Sequence, residues 1–359
     1  MPDSRILSVA DALREATDIC MERDPRVYVM GEGVTDPKAI FGTTTGLVAK
    51  YGPARVIEMP VAENGLTGIA VGSALMGRRP LMIHQRVDFC LLALEQLFDN
   101  AAKTHYVTNG RHSVPLVVRM IIGRGWGQGP AHSQALESLF AYIPGLKVIM
   151  PTTAGEAKGQ LIAAIEDDNP VLVLEHRWVH YTTGHVPEGH YTVPLAPRRV
   201  RDGGDVTIVA TSYMLFEAMM AADSLAGAGI RAEVFDLAVL RPLDLAPIRA
   251  SVRKTGRLIT ADTGFRTLGP GAEIVAEIVG GEFAALRAAP RRFGLPDRPT
   301  PSSRGLAATY YPTAVELFDA VAGLCGGDAA RLAGLRETLV AERNKLPSDQ
   351  PTAAFRGPF

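Results

Sequence analysis

The sequence predicts an α/β protein built from two doubly wound domains, for three reasons. Short apolar runs rich in β-branched residues alternate with longer segments of helical period, which is typical of a parallel sheet covered by helices. An irregular stretch, 177–204, interrupts this alternation, which then restarts. The chain has 359 residues, of which 47% are apolar, and this composition can fill two cores of ordinary size.

The first domain is predicted to span residues 1–190. Its strands are expected where short, mostly apolar runs lie between polar, Gly or Pro residues. The predicted strands are 27–30, 56–59, 81–85, 116–122, 147–150 and 171–175. The predicted helices are 8–21, 64–76, 89–106 and 153–165. Ser8 is placed to cap the first of these helices, and Thr153 with Glu156 to form a capping box on the last.

The second predicted helix is unusually rich in glycine. Gly65, Gly68 and Gly72 stand at positions where Ala would favour the helix more strongly. Glycine at such positions allows another group to approach the helix backbone closely. We therefore expect a neighbouring helix or a cofactor against this helix.

The second domain is predicted to span residues 200–326, after the polar turn at its start. The predicted strands are 206–210, 232–237 and 258–261, and the predicted helices are 214–226, 272–279 and 313–324. Residues 327–359 form a C-terminal extension. It contains one amphipathic segment, 330–346, followed by a polar end with prolines that we expect to be loosely ordered.

Charge and cysteine content argue against several classes of partner. With 37 Lys and Arg against 38 Asp and Glu, the net charge is −1, so the chain has no basic field for nucleic acid or anionic membranes. We find neither a long apolar span nor a leader with a basic and then an apolar part. Cys20, Cys90 and Cys325 are far apart, which fits neither a disulfide framework nor a metal cluster. We expect a cytoplasmic protein with no nucleic-acid or membrane partner.

The glycine-rich segment 123–129 follows a predicted strand but lacks the dinucleotide-binding spacing. Glycines at every second position do not give G-x-G-x-x-G, and no helix begins at once. A nicotinamide-dependent dehydrogenase is therefore disfavoured. Taken alone, the segment is a surface loop, but it leads into His132 where the loop turns into a helix.

Two acidic residues follow predicted strands, at the edge where open α/β sheets place their ligands. Glu32 follows the strand 27–30, and Glu63 lies between the strand 56–59 and the glycine-rich helix. A carboxylate at a helix start also has a structural explanation, since it complements the helix dipole. Each acidic residue taken singly is therefore a weak signal.

Taken together, the motifs resemble the beta subunit of thiamine-diphosphate-dependent 2-oxo acid dehydrogenases, such as the pyruvate, branched-chain and acetoin dehydrogenases. The resemblance covers about residues 5–325. The motifs that carry it are Met30-Gly-Glu-Gly-Val34, Met59-Pro-Val-Ala-Glu-Asn-Gly65, Val87-Asp-Phe89, Asn100-Ala-Ala-Lys103, Pro130-Ala-His-Ser-Gln134, Pro144-Gly-Leu-Lys-Val148, Asp168-Asn-Pro-Val171 and Leu240-Arg-Pro-Leu-Asp244. It implies a transketolase-like pyrimidine-binding domain followed by a transketolase C-terminal domain.

The resemblance also implies a function and assigns residues to it. The enzyme decarboxylates a 2-oxo acid and transfers the acyl or aldehyde fragment to an acceptor such as a lipoyl domain. Glu63 corresponds to the catalytic carboxylate that binds the cofactor's pyrimidine nitrogen, and Phe89 to the ring that stacks on the pyrimidine. Glu32 and Gln85 complete the cofactor site. His132 corresponds to the catalytic histidine that faces the substrate carbonyl and the acceptor.

Two further residues are predicted on the substrate side. Arg86 stands where many relatives carry an aromatic residue, and two interpretations stay open. It pairs with an acidic residue across a subunit interface, or it recognises an additional carboxylate or phosphate on a reactant. Trp126 adds bulk to the loop that leads to His132.

The resemblance also bears on metals. Positions that hold a structural potassium ion in some relatives, mostly through backbone oxygens, are matched by Leu116, Ala164, Ile165, Asp167 and Asn169. An ordinary helix C-terminus explains these residues at least as well. The chain contains no Gly-Asp-Gly, the motif that begins the family's site for the diphosphate and magnesium.

The missing motif implies a partner. In the family an alpha subunit supplies the diphosphate and magnesium half, so the active site lies between chains of an α2β2 heterotetramer, which a lipoyl transacylase can join. Two alternatives stay open. One is a two-component transketolase-like synthase that passes the fragment to an aldehyde or a carrier protein. The other is a non-catalytic beta-like scaffold, which the presence of Glu63, Phe89 and His132 opposes.

Overall fold

The structure is a computed structural model that describes residues 5–36, 41–124, 127–346 and 350–351. The strands are β1 (Ile6–Ser8), β2 (Val27–Gly31), β3 (Val56–Glu58), β4 (Arg79–His84), β5 (Val117–Ile122), β6 (Lys147–Ile149), β7 (Val171–His176), β8 (Thr183–His185), β9 (Arg198–Arg201), β10 (Val206–Ala210), β11 (Ala232–Asp236), β12 (Val239–Arg241), β13 (Leu258–Phe265) and β14 (Arg291–Leu295).

Helices alternate with these strands, which confirms the predicted α/β class. The α-helices are α1 (Val9–Arg23), α2 (Leu47–Tyr51), α3 (Glu63–Leu75), α4 (Val87–Cys90), α5 (Ala102–Val107), α6 (Glu137–Ala141), α7 (Ala154–Glu166), α8 (Met214–Ala226), α9 (Ala246–Thr255), α10 (Pro270–Glu282), α11 (Arg304–Ala307), α12 (Ala314–Cys325) and α13 (Ala329–Arg343). Leu91–Ala93, Val179–Tyr181 and Phe283–Ala285 are 3-10 helices, and Gln96–Ala101 is a π-helix.

The first sheet has the strand order β12-β6-β7-β5-β4-β2-β3. Its strands β2 to β7 run parallel, and β12 runs antiparallel to β6. The central strands β5 and β7 are buried along their whole length because helices cover both faces. On one face α1 and α7 complete the core, and on the other α3 does. Burial on both sides explains why these strands read as continuous apolar runs.

The second sheet has the strand order β14-β13-β10-β11-β9. Strands β10, β11, β13 and β14 run parallel, and β9 runs antiparallel to β11. Helices α8 and α12 cover one face with their own apolar cluster. Helices α9 and α10 belong instead to the cluster that also contains α3 of the first sheet. One core is therefore continuous between the two sheets.

Strand β12 joins the two halves of the chain directly. It comes after residue 200 but pairs with β6 of the first sheet, where Val239 lies opposite Ile149. Just beyond the pair, Met150 donates its backbone N–H to the Ala238 carbonyl at 2.7 Å. The boundary predicted between 190 and 200 stays a prediction, and the sheet of the first half contains a strand from the second.

The long helix predicted over 89–106 is confirmed, but it is not a regular α-helix. Residues 87–107 are helical throughout, and the helix type changes from α4 through a 3-10 turn and the π-helix to α5. The π-helix lies where Gln96 packs on α3, and a Cβ added at Gly68 would be 3.1 Å from Gln96 Oε1. The capping box predicted on α7 was wrong, since the Thr153 side chain makes no capping bond and Glu156 pairs with Arg198 at 3.3 Å.

The C-terminal extension contributes a helix to the second half. Helix α13 packs against α8 and α12, and its Leu339 is buried in their apolar cluster. The polar end predicted to be loosely ordered lies almost wholly outside the described residues. Within the described parts of the chain, we find no helix that combines the length and apolar character needed to cross a membrane.

Candidate active site

The predicted site residues gather at one edge of the first sheet. Strands β2, β4 and β5 are parallel neighbours, so their carboxyl ends lie side by side. Glu32 follows β2, Gln85 follows β4, and the loop that carries His132 follows β5. Glu63 begins α3, which follows β3 at the same edge. This is the edge where parallel α/β sheets bind ligands.

Glu63 is buried at the start of α3, where it is 5% exposed. A carboxylate at this place is stabilised by the helix dipole. One turn later, the Thr67 hydroxyl donates to the Glu63 carbonyl oxygen at 2.7 Å. Burial raises the pKa of the Cys90 thiol, and the negative charge of Glu63 raises it further. The carboxylate therefore lies close to α4, the helix that contains Phe89.

Glu32 lies beside Glu63 and is only partly exposed. Burial raises the pKa of Glu32, and the negative charges of Glu63 and Glu58 add to this effect. Its Oε1 atom is buried and accepts no hydrogen bond from the described residues. Glu58, at the end of β3, accepts from the backbone N–H groups of Gly33 at 2.5 Å and Thr35 at 3.1 Å. These bonds hold the loop after β2, and Glu32 with it, in place.

Gln85, Phe89 and His132 line the accessible side of the same edge. Gln85 is exposed, and its Nε2 donates to the Glu32 carbonyl oxygen at 3.4 Å. The rings of Phe89 and His132 meet edge to face, with centroids 5.4 Å apart and an interplanar angle of 82°. Phe89 is half-buried and His132 is exposed. The imidazole can therefore reach a reactant from a place beside the aromatic ring.

The loop that carries His132 is tied down near both ends. Gly123 donates its backbone N–H to the Gln134 carbonyl at 2.9 Å, which closes the base of the loop. The Gln134 side chain donates from Nε2 to Asp88 Oδ1 at 2.6 Å. Burial raises the pKa of Asp88, which lies next to Phe89 in α4. The bond between Gln134 and Asp88 thus connects the loop to α4 next to the Phe89–His132 contact.

Arg86 is 4% exposed, and its side chain contacts this loop. Its Nη2 donates to Gln128 Oε1 in a close hydrogen bond, and its Nη1 is buried without a partner among the described residues. Burial lowers the pKa of Arg86 to about 10. Its role toward a reactant stays a prediction. Trp126, the other residue predicted on the substrate side, lies outside the described residues.

The positions predicted for potassium lie at the opposite edge of the sheet, because they precede β5 and β7. These positions are Leu116, Ala164, Ile165, Asp167 and Asn169. The guanidinium of Arg79 donates from Nη1 to the carbonyl oxygens of Ile165 and Asp167, each at 3.0 Å. The Leu116 and Ala164 carbonyls accept from backbone N–H groups. Two of the oxygens that would bind potassium, the carbonyls of Ile165 and Asp167, therefore already contact the Arg79 cation. A potassium ion at these positions stays a prediction.

Sequence reasoning missed Gln128 and Arg124, which both anchor the loop. Gln128 was unremarkable because its partner, Arg86, is distant in sequence. The guanidinium carbon of Arg124 lies 3.7 Å from the Trp178 ring centroid and 3.9 Å from that of Tyr311. A charged side chain inside a glycine-rich loop was the one available signal for Arg124.

The structure therefore brings five predicted residues to one edge, namely Glu32, Glu63, Gln85, Phe89 and His132. The edge combines a buried carboxylate, a half-buried aromatic ring and an accessible imidazole. Such a set can bind a planar heteroaromatic group by hydrogen bonding and ring contact, and can move a proton beside it. The catalytic and binding roles of these residues stay predictions.

Comparisons with known proteins agree with this geometry. The family "Transketolase, pyrimidine binding domain" matches residues 6–179, and "Transketolase, C-terminal domain" matches residues 197–317. The chain is 39% identical over 324 residues to the pyruvate dehydrogenase E1 component subunit beta-2, mitochondrial, of Oryza sativa subsp. japonica, covering 89% of this chain and 86% of that protein.

A bacterial relative agrees with this family, and a solved structure agrees with the fold. The chain is 38% identical over 325 residues to the acetoin:2,6-dichlorophenolindophenol oxidoreductase subunit beta of Cupriavidus necator, covering 88% of this chain and 96% of that protein. A split-gene transketolase, solved as an inactive β4 tetramer, has the same fold with a TM-score of 0.71 and 24% identity, over 89% of this chain and 98% of that one. The chain therefore belongs to the transketolase-like family of beta subunits of thiamine-diphosphate-dependent 2-oxo acid dehydrogenases.

Proposed function

We propose that this chain is the beta subunit of an oxidoreductase that decarboxylates a 2-oxo acid and passes the acyl or aldehyde fragment to an acceptor such as a lipoyl domain. The observation that carries the proposal is the buried Glu63 beside the open edge lined by Phe89 and His132. Its family uses thiamine diphosphate, which would supply, when bound, a thiazolium carbon that is acidic and, once it has lost its proton, nucleophilic toward the carbonyl of a 2-oxo acid.

The residues present fit the pyrimidine half of this cofactor. Glu63 would hold a proton between its carboxylate and the pyrimidine ring nitrogen, and its burial keeps water from competing for that hydrogen bond. The half-buried Phe89 would pack against the ring and fix its plane. The unpartnered Oε1 of Glu32 offers a further acceptor in the same cleft. His132, which is exposed, would present its imidazole to the substrate carbonyl or the acceptor.

An alpha subunit is proposed to supply the diphosphate and magnesium half. The exposed face of α3, opposite the buried face that carries Glu63, supports this, because Cβ atoms added at Gly65 and Gly72 would meet nothing within 4 Å among the described residues. Exposed apolar side chains flank these glycines, with Ile69 59% and Met76 84% exposed. Such a face is suited to close packing against another chain. We propose an α2β2 heterotetramer, which a lipoyl transacylase joins.

The proposal also includes a potassium site and a cellular location. A potassium ion at the edge opposite the site would share two carbonyl oxygens with the Arg79 guanidinium. A cytoplasmic location is supported by free cysteines, since Cys20 and Cys90 are buried as thiols and Cys325 is half-buried. The rice relative carries "mitochondrial" in its name.

The proposal is tested by calorimetric titration of thiamine diphosphate with magnesium. The samples are this chain, a partner chain from a neighbouring gene that contains Gly-Asp-Gly, and their mixture. We expect thiamine diphosphate to bind tightly to the mixture and to neither chain by itself. The mixture should then turn over members of a panel of 2-oxo acids in the presence of an artificial electron acceptor. Turnover by this chain without a partner would contradict the shared site. Fragment transfer to an aldehyde with no oxidised product would identify the two-component synthase instead.

A further inference from the structure

Arg124 occupies the first position of the loop that carries His132. It follows Gly123, whose backbone N–H bond to the Gln134 carbonyl closes the loop base. Gly123 has a φ of +79°, and a Cβ there would lie 2.2 Å from His176 Nε2. Only glycine fits this position, because it has no Cβ and adopts a positive φ without strain. The sharp turn at Gly123 directs the Arg124 side chain into the interior of the protein.

The Arg124 guanidinium is enclosed by aromatic rings from both halves of the chain. Its carbon lies 3.7 Å from the Trp178 ring centroid, just after β7, and 3.9 Å from that of Tyr311, just before α12. Arg124 is 5% exposed, and burial lowers its pKa to about 10. Among the described residues we see no hydrogen bond or ion pair to the guanidinium. Stacking between two rings is therefore its main interaction.

A third ring supports this stack from the second half. Tyr213 lies with its ring centroid 5.0 Å from that of Trp178, and it stacks on His176 at 5.3 Å with an interplanar angle of 19°. Helix α13 reaches the same place through Arg343, which pairs with the buried Glu217 at 3.4 Å. The rings around Arg124 are thus fixed by several elements of the second half.

Both ends of the loop that carries His132 line one cavity. Arg124 and Ser133 both line a small cavity between the two halves, together with His176 and Tyr213. Ser133 is 2% exposed while its neighbour His132 is exposed. The buried positions at 124 and 133 therefore hold the loop on either side and leave the imidazole outside. Gly129 adds a contact, since a Cβ there would lie 2.3 Å from Ser302 Oγ of the second half.

We propose that Arg124 is a positioning residue for His132. Its guanidinium, held between Trp178 and Tyr311, fixes the loop to both halves of the chain, so that the His132 ring stays at the edge of Phe89. The inference rests on the proposed function for the catalytic role of His132, whereas the effect on loop structure does not depend on it. Misplacing a reacting group by about 1 Å can cost about 100-fold in rate.

The test compares Arg124→Met with Arg124→Lys in the assembled complex. Methionine fills the space between the rings without the charge or the planar stack, and lysine restores the charge. We expect Arg124→Met to increase amide hydrogen exchange of residues 127–134 by about tenfold and to lower kcat by about 100-fold, with the cofactor Kd nearly unchanged. Arg124→Lys should recover part of both losses.

A matched control is Lys158→Met, which also removes a fully buried cation. Lys158 bonds to Glu15 at 2.7 Å and to the Pro187 carbonyl at 2.6 Å, away from the loop. We expect it to lower the Tm without changing loop exchange or kcat. If Arg124→Met fails to fold, Tyr311→Leu removes one face of the stack and should give the same loop exchange.

Three results would overturn the proposal. The first is unchanged amide hydrogen exchange of residues 127–134 in both Arg124→Met and Tyr311→Leu. The second is an equal increase of that exchange in Lys158→Met. The third is a loss of kcat in Arg124→Met that is matched by an equal loss of cofactor affinity. If no 2-oxo acid is turned over by the wild type, the proposed function fails, and the exchange data alone still decide whether Arg124 positions the loop.

Discussion

The carboxyl ends of the two parallel sheets carry similar residues and differ in access. At the first sheet Glu32 is half-buried, and Gln85 and His132 are exposed. At the second sheet Asp236 is 0% and Asp262 is 2% exposed. Burial raises the pKa of both aspartates to about 7. One edge is thus an open cleft, and the other is closed inside the molecule.

The closed edge is covered by the chain itself. Thr152, from the first half, donates its hydroxyl to Asp236 Oδ1 at 3.1 Å. The backbone N–H of Gly271 donates to Asp262 Oδ2 at 2.8 Å, and a Cβ on Gly271 would lie 2.8 Å from the same oxygen. A carboxylate at the carboxyl edge of a parallel sheet can therefore act on a ligand only where the next layer leaves space for one.

Neutralising Glu63 at the open edge should have the largest effect on activity. Glu63→Gln keeps the shape of the side chain but cannot exchange a proton. We expect hydrogen–deuterium exchange at the thiazolium C2 of the bound cofactor to fall by about 1,000-fold or more in the assembled complex. Asp262→Asn, at the closed edge, is the matched control and should leave this exchange unchanged. Near wild-type exchange in Glu63→Gln would mean that Glu63 only stabilises a helix start.

His132→Ala tests the exposed side of the open edge. Because His132 is exposed and Glu63 is buried, we expect kcat to fall by about 100-fold while the cofactor Kd changes by less than about twofold. Steady-state kinetics and calorimetry on the assembled complex measure the two effects. His190→Ala removes a histidine that pairs with Glu166 at 2.6 Å and serves as control. A large loss of cofactor affinity with unchanged turnover would contradict the assignment.

At the closed edge, the titration of Asp262 should make the stability of the fold depend on pH. Asp262 has a pKa of about 7 in the folded chain, against about 3.9 when unfolded. Between these values the folded state binds a proton that the unfolded state has lost, so this group's stabilising contribution is present below pH 4 and is lost as the pH rises through 7. We expect Asp262→Asn to flatten the decline of stability between pH 4 and 7, by at most about 1.4 kcal/mol per pH unit.

The measurement is the unfolding midpoint in urea across this pH range. Asp319→Asn replaces an exposed carboxylate that pairs with Arg336 at 2.7 Å, and it should leave the slope unchanged. An Asp262→Asn profile as steep as that of the wild type would mean that Asp262 is not the titrating group.

Arg86→Phe gives the smallest expected effect, because Arg86 is buried and already bonded to Gln128 of the loop. If the guanidinium recognises a second anionic group, KM for that reactant should rise by about tenfold, and simple aliphatic 2-oxo acids should be used better. Relative kcat/KM across a panel of 2-oxo acids measures this, with Arg86→Lys as the charge-conserving control. Weaker alpha–beta assembly with unchanged relative rates would support the interface interpretation instead.

Much of the fold could be predicted because its central elements carry local signals. Strand β7 and helix α8 were predicted within a residue, since a continuous apolar run and a clear helical period mark them. Strand β9 was missed because its sequence, Arg-Arg-Val-Arg, has no apolar period, and part of its support is an ion pair from Arg199 to Glu233 at 3.2 Å. Strand β12 was missed because its three residues pair with β6, far away in sequence.

The candidate site also contains residues that could be predicted from the sequence and residues that could not. Glu32 and Glu63 could be placed from strand ends alone, because parallel strands bring their carboxyl ends to one edge. The roles assigned to Phe89 and His132 came from the family resemblance, since nothing local distinguishes either residue. Arg124 was missed because its environment is made by Trp178 and Tyr311, which only the tertiary structure brings together.

Strand β12 has a consequence for biosynthesis. It covers the outer edge of β6, but it is made only when the ribosome has reached residue 241. Until then, the β6 backbone of a nascent chain presents unpaired N–H and C=O groups at the end of a growing parallel sheet. Such an edge is a template for another chain, and so for aggregation. A fragment that stops at residue 190 keeps that edge exposed permanently, whereas one that includes residues 239–241 can cover it.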